Sequence, residues 1–523
     1  ATVDKKTLES RPVTSVSQAL QGVMPGLNID MNDKGGRLDY NPTMNIRGTG
    51  NLNTGSSASP LVLIDGAEGD INSLNPQDIA NISVLKDAAA SAIYGSRAPF
   101  GVILVTTKSG EAGKATIQYS NNFRWSRPTN IPDMLDSYRF ANYFNEASVN
   151  QGEKIIFDDE TIGRIQDYMA GKITTTTVPN GTNWQFHEKA NDNVNWYKTH
   201  FAWAWSQEHN LSMSGGTEKL QYYVSGSYLN QNGNLRYGND NMKRYNLSAK
   251  INTKINKYID FNLSTKFIRY DLDNPIYLEE GGLLYHDIAR MWPTMPFKDP
   301  NGHYMRNGKL AQLTDGGRSK THNDDIYLQG QVVLHPLKNW NIYAEAGMRV
   351  INQNKQVNLN KIYEYDINNN PVELAFSGSY APGATFARMN YLNSNFYTTS
   401  FYTDYLERNE HYLKVMLGMN TEEYIVRSLS AQRSDVISSL IPEISAAVGE
   451  DKINNDDNNP TQYKNWATAG FFGRVNYSYK ERYLFEANLR YDGSSRFLRN
   501  QRWNLFPSFS FGWNMAHESF FAP

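Results

Sequence analysis

The feature that most limits the fold is a two-residue rhythm of apolar and polar side chains that returns about a dozen times after Lys114. In 115–125, Ile117, Tyr119, Phe123 and Trp125 alternate with Thr116, Gln118, Ser120, Asn122 and Arg124. The rhythm recurs in Tyr245, Leu247, Ala249 and Ile251, in Trp340, Ile342, Ala344, Ala346 and Met348, and in Tyr483, Phe485, Ala487, Leu489 and Tyr491. Successive side chains of a strand point to opposite faces, so each segment predicts a strand with one apolar and one wet face. The segments lie near 115–125, 209–216, 220–230, 244–253, 258–270, 325–335, 340–351, 395–407, 411–423, 469–479, 483–493 and 503–514. Many have the roughly ten residues that cross a bilayer at a tilt.

Connection lengths carry a second signal. Thr217–Lys219, Lys254–Lys257, Pro336–Asn339, Asn409–Glu410 and Lys480–Arg482 are tight, and the connections between them are long. Transmembrane barrels have short periplasmic turns and long external loops. A soluble sandwich shares the alternation but does not require that asymmetry. The first strand must then run outward, with the N-terminal unit on the periplasmic side. No run of about eighteen apolar residues is present, which excludes membrane helices. The aromatic content, 33 Tyr, 23 Phe and 10 Trp, suits β-structure with one wet face. A net charge of -2 with scattered Lys and Arg excludes a nucleic-acid footprint. The absence of cysteine fits an envelope protein, and the N-terminus shows no apolar signal core.

From Ser15 to about Gly110 the pattern is that of a small α/β unit. Leu61–Ile64 is a buried strand ending at the turn Asp65-Gly66, and Asn75-Pro76-Gln77-Asp78 starts a short helix with Asn as cap and Pro first. Ile82–Leu85 is a strand, Asp87 caps a helix over Ala88–Tyr94 that Gly95 ends, and Gly101–Thr107 is a strand.

Twelve strands about 4.8 Å apart and tilted about 40° close to a diameter of roughly 24 Å, too narrow for a unit of this size. About 22 strands give roughly 44 Å. The chain is therefore expected to hold only part of a barrel, with the remaining half on another segment or chain, because an open edge is not stable in lipid.

The N-terminal unit resembles the plug of SusC-like TonB-dependent transporters. The likeness rests on Ala19–Leu27, Asn45-Ile46-Arg47-Gly48, Pro60–Gly66, Asn75–Ile79 and Val84–Arg97, with Arg490–Phe497 and Leu505–Ser510 in the barrel. No TonB-box-like segment or preceding small domain is recognised. The resemblance implies a mainly β protein, with an α/β plug domain at 1–114 inside a large antiparallel transmembrane β-barrel whose N-terminal part is 115–523. It implies active import across the Gram-negative outer membrane driven by the TonB-ExbB-ExbD complex. It also implies a SusD-like lipoprotein lid and a dimer of such pairs. The expected cargo is an oligosaccharide, with peptide as alternative. A stand-alone siderophore or cobalamin receptor would lack the lid, and a surface adhesin or barrel enzyme forms a different class.

Arg47 and Arg97 are expected to pair with barrel carboxylates and lock the plug, or else to form ion pairs within it. Trp184, Trp196, Trp203 and Trp205 fall in the first long external loop, where flat rings either stack on sugars or pack the loop. Arg37, Asp39, Tyr40, Asn51 and Asn53, in polar plug segments, are the other expected substrate contacts. Trp125, Trp503 and Trp513 read as an interfacial girdle. No metal or cofactor is expected. Gly48, Gly50 and Gly55 match no phosphate-binding pattern, and Asp451–Asn459 lacks the Gly and Glu of an EF-hand. Neither His-Glu-x-x-His nor Gly-x-Ser-x-Gly occurs, so enzymatic chemistry has no anchor.

Overall fold

The N-terminal unit is built around β4 and β7, two continuous apolar runs that pair in parallel because both of their faces are covered. Its strands are β1 (Thr2–Asp4), β2 (Leu27–Asp30), β3 (Thr43–Ile46), β4 (Leu61–Ile64), β5 (Ala67–Glu68), β6 (Ile79–Leu85) and β7 (Val102–Thr107). Five of them form one sheet in the order β1-β6-β7-β4-β5, while β2 and β3 form a separate ribbon. The turn between β4 and β5 places Asp65 and Gly66 at φ 50° and 95°, which favours glycine and tolerates aspartate. Asn75 caps a single 3-10 turn, Pro76–Asp78, by accepting from the Gln77 N–H at 3.0 Å, as its sequence predicts. The computed structural model describes the chain except residues 1, 5–6, 9–10, 12, 31–36, 39–41, 47, 49–58, 87–93, 95–97, 99, 282–283, 456–464, 519 and 522–523. The helix expected over Ala88–Tyr94 lies almost wholly outside the described residues.

The rest of the chain is a wall of long strands with loop elements above it. In chain order these are β8 (Gly113–Ser126), the hairpin β9 (Pro179–Asn180) and β10 (Asn183–Trp184), β11 (Ala204–Gly216), β12 (Leu220–Asn232), β13 (Asn241–Asn256), β14 (Ile259–Pro275), β15 (Arg318–Leu337) and β16 (Trp340–Leu359). A second hairpin, β17 (Ile362–Tyr365) and β18 (Pro371–Leu374), precedes β19 (Phe386–Glu407), β20 (His411–Ser434), β21 (Asp451–Asn455), β22 (Trp466–Tyr479), β23 (Tyr483–Ser494) and β24 (Trp503–Trp513). The order β24-β23-β22-β20-β19-β16-β15-β14-β13-β12-β11-β8 contains every expected strand, each antiparallel to the next. Residues 451–455, in the Asp- and Asn-rich stretch that lacks an EF-hand's Gly and Glu, form β21, which adds to β20.

Strands are longer than the alternation predicts, and the excess lies at their loop ends. β15 starts at Arg318, β19 starts at Phe386 and β20 runs to Ser434. Above the lipid both faces meet water or loops, so the apolar rhythm fades while the hydrogen-bonded ladder continues. At the other end the turns are tight: Lys480 and Glu481 both take positive φ, the two-residue geometry that matches strand twist. Outward positions carry the apolar phase, with Trp503 and Trp513 at opposite ends of β24. Ten steps of about 3.4 Å tilted about 40° separate them by roughly 26 Å, the height of an outer-membrane apolar band.

Candidate functional site

The wet face of the wall grips the N-terminal unit through buried charge and amide groups. At the β4–β5 turn, Lys266 of β14 donates to Asp65 Oδ2 at 2.5 Å and Lys250 of β13 to Oδ1 at 3.1 Å. Thr107 of β7 adds its N–H at 2.9 Å and its hydroxyl at 2.6 Å. Burial alone would raise the Asp65 pKa. The Lys266 and Lys250 charges, with hydrogen bonds from Lys266 and Thr107, outweigh burial and hold the carboxyl well below the usual carboxylate range. Arg244 of β13, 5% exposed, donates to the carbonyls of Asn72 at 2.7 Å and Thr14 at 3.1 Å. Asn246 donates to Ser73 O at 2.8 Å, Asn75 to Asn210 Oδ1 at 2.5 Å, and the Tyr223 hydroxyl to Asp78 Oδ1 at 2.8 Å. Burial pushes the Asp78 carboxyl up. Ile268 and Tyr327 of the wall join the apolar core of the unit, so seam and core are one packed body.

Above this seam lies a cavity of about 530 Å³. Its floor is Thr14, Ser15, Gln18, Asp70 and Asn72, and its side is the lumen face of β13–β16 with Gln231 and Leu392. Among its charged residues, Arg349 holds Asp325 through Nε at 3.0 Å and Nη2 at 2.7 Å, Lys355 holds Glu279 at 2.5 Å, and Arg244 is turned onto the plug carbonyls. The described lining also holds uncharged amides and hydroxyls, aliphatic Met242, Leu272 and Ile351, and the ring of Tyr270.

The long loops build a roof with its own core. Helices Ser137–Asn150 and Asp159–Met169 are capped by Asp136 and Asp158 and pack Phe140, Phe144 and Phe157 against Trp292. Trp196, Ile276, Tyr277, Leu284 and Phe376 form the adjoining cluster.

The residues singled out from sequence separate into three groups. Arg37 borders the cavity and donates to the Leu278 carbonyl at 2.5 Å, tying the N-terminal unit to the roof. Asp39, Tyr40, Asn51, Asn53, Arg47 and Arg97 lie outside the described residues. The four tryptophans do not share a surface. Trp196 is 0% exposed and donates to Trp292 O at 2.9 Å, so it belongs to the roof core and offers no stacking face. Trp205 is a correction too: it sits in β11 rather than in the loop, directly opposite Trp125 and stacked on Phe123, on the outward face. Trp203 is 61% exposed with Arg127 over its ring, and Trp184 lies in the β9–β10 hairpin. Sequence reading missed Asp65, Lys250, Lys266, Arg244 and Tyr223. The one available signal was a Lys or Arg on the wet phase of a strand.

Residues 1–102 match the family model described as the TonB-dependent Receptor Plug Domain. The chain is 26% identical to TonB-dependent receptor P3 of Formosa agariphila, covering 99% of this chain and 47% of that protein. It is 27% identical to TonB-dependent receptor SusC of Bacteroides thetaiotaomicron, covering 97% and 48%. It thus spans about half the length of these curated relatives. Among solved structures it superposes on the RagAB peptide transporter with a TM-score of 0.79 at 20% identity, covering 99% of this chain and 58% of that one. The N-terminal unit gripped inside the wall thus matches a TonB-dependent receptor plug, and over nearly its whole length the chain is similar to SusC-like TonB-dependent receptors, with a large antiparallel β-wall around the plug.

Proposed function

We propose that the protein works in TonB-dependent active import of a nutrient oligosaccharide across the outer membrane. In this reading residues 1–114 are the plug and 115–523 the first part of the barrel, energised by the TonB-ExbB-ExbD complex. A SusD-like surface lipoprotein serves as lid, in a dimer of transporter-lipoprotein pairs. The observation that carries the cargo class is the cavity above the plug. Two pairs of its charges bind each other and Arg37 and Arg244 are turned onto backbone carbonyls, which favours amides such as Gln18, Asn72, Asn323 and Gln353 as the groups that meet a neutral, hydroxyl-rich ligand. Its size suits a few sugar units held between plug, wall and roof.

A second reading, import of a short peptide, is supported by the aliphatic lining and the scarcity of aromatic rings at the described positions, and by the likeness to a peptide transporter. Intact-mass analysis of every chain and small ligand that co-purifies from native outer membrane in mild detergent tests both. A lipoprotein with bound sugar is expected. Bound peptide would keep the machine and change the cargo, and a solitary chain without a lipoprotein would overturn the lidded importer.

A further inference from the structure

A second cavity, of about 440 Å³, lies directly below the first along the same four strands. The upper space is lined by Ile268 of β14, Asp325 of β15 and Ile351 of β16, which are neighbours in register. The lower one is lined by Ser264 and Gln329, also register partners, with Lys250 and Glu345. Between them runs one row of wall residues, Lys266, Tyr327 and Arg349.

The plug meets that row with a single hairpin, β4–β5. Its Asp65 takes Lys266, and its Glu68 carbonyl accepts from Arg349 at 3.3 Å. A Cβ at Gly69 would stand 2.8 Å from the Tyr327 hydroxyl. Gly66, at the tip, already overlooks the lower cavity beside Gln329 and Glu345. Both spaces are large enough for a small oligomer, and this contact lies between them along the wall, beside Ile268 and Tyr327 packed into the plug core.

We propose that cargo moves down the lumen along the β13–β16 wall, and that the β4–β5 hairpin, latched by Asp65 between Lys250 and Lys266, is the gate between the two cavities. This inference rests on the import reading and gives that machine a route. Opening in this proposal withdraws the Asp65-Gly66 tip and the Glu68 carbonyl from that row of side chains while β4 stays paired with β7. The latch is strong enough to stay shut at rest, because parting buried partners strands uncompensated charge on both sides.

These 523 residues contain no cysteine, and with any cysteine elsewhere in the full-length protein replaced by serine, single thiols report local access without background. The full-length transporter is placed in porin-free vesicles with its loops outward, carrying either Asn323→Cys in the upper cavity or Gln329→Cys in the lower, six residues along one strand. A membrane-impermeant charged maleimide is the probe. With the latch intact, Gln329→Cys is expected to react about tenfold or more slowly than Asn323→Cys; adding Lys250→Met with Lys266→Met brings the rates within about threefold, since access to a closed site scales with its open fraction. Asn476→Cys, lumen-facing on β22 beside Glu486, is the control and keeps its rate. Equal rates with the latch intact, or a Gln329→Cys rate unmoved by its removal, would overturn the gate. A matching rise at Asn476→Cys would mean that the whole plug had left, which would overturn the route. Asp65→Asn, which spares the wall, must reproduce the lysine variants. Labelling needs neither cargo nor energy, so a wrong assignment of cargo or lid leaves these rates untouched.

Discussion

Arg244→Met tests whether the plug is held by the wall or merely rests in it. The guanidinium is buried and donates to two plug carbonyls, those of Asn72 and Thr14. Methionine fills much of the same volume and leaves both carbonyls without that donor. Hydrogen bonds to a charged group contribute about 1.5–3 kcal/mol each, and removing a buried charge returns part of that sum. The net is about 3 kcal/mol, or roughly a hundredfold in the equilibrium by which the plug loosens. Amide hydrogen exchange read by mass spectrometry on the full-length protein in detergent micelles measures it directly. Peptides holding Thr14 and Asn72 are expected to exchange about a hundredfold faster, while those from β13 and β14 keep their protection. Arg244→Lys, a single ammonium that serves one carbonyl well, is expected to fall between, near tenfold. Unchanged plug protection in the methionine variant, or equal losses in plug and wall, would refute the reasoning.

Three further outcomes follow from the same contacts. Because the Asp65 carboxyl is held below its ordinary value, its contribution is whole above the unfolded value of about 3.9 and disappears only as pH falls below that. The difference in plug protection between the unaltered protein and Asp65→Asn, which isolates this carboxyl from Asp78, is therefore expected to stay level from about pH 7 to about 4.5, and a decline centred near pH 6 would contradict the latch. Trp196→Ala removes a fully buried indole from the roof, a loss of about 3–5 kcal/mol, and external protease should then cut 127–203 and 276–317 while the strands stay protected. Phe509→Arg on the outward face of β24 is expected to cost about 2–4 kcal/mol in urea titrations of folding into lipid bilayers, whereas Ser508→Arg on the lumen face costs far less; equal losses would argue against the assigned faces.

The wall was legible because lipid enforces its rule residue by residue: every second side chain in contact with hydrocarbon must be apolar, and the turns on one side stay short. Legibility ended where the solvent changed. β20 continues past Glu423 to Ser434 through Arg427 and Ser428, which stand above the lipid and follow no apolar alternation. Trp205 was misplaced for a related reason, since polar Gln207 and His209 on its own face interrupt the apolar phase before the strand begins. The turn at Asp65-Gly66 was evident from local chemistry, but its partners lie 185 and 201 residues away on two different strands. Local periodicity carries no information about such a pairing. Trp196 illustrates the remaining gap, because a tryptophan in a long loop has the same local signature whether it faces cargo or plugs a core.

The plug sheet places a three-residue strand, β1, at one edge and its parallel pair, β4 and β7, further in. β1 pairs with β6 over three residues, antiparallel, with Val3 opposite Ile82. A pull transmitted through Thr2 loads that ladder one bond at a time, as a zipper is opened, and a three-residue zipper yields to little force. β4 and β7 run parallel at the centre of the sheet, so a tug along either must break their bonds together, in shear. Force arriving from the N-terminal side therefore meets a weak seam before a strong one. It reaches the Thr14 and Asn72 carbonyls, pinned by Arg244, only after the edge has peeled away.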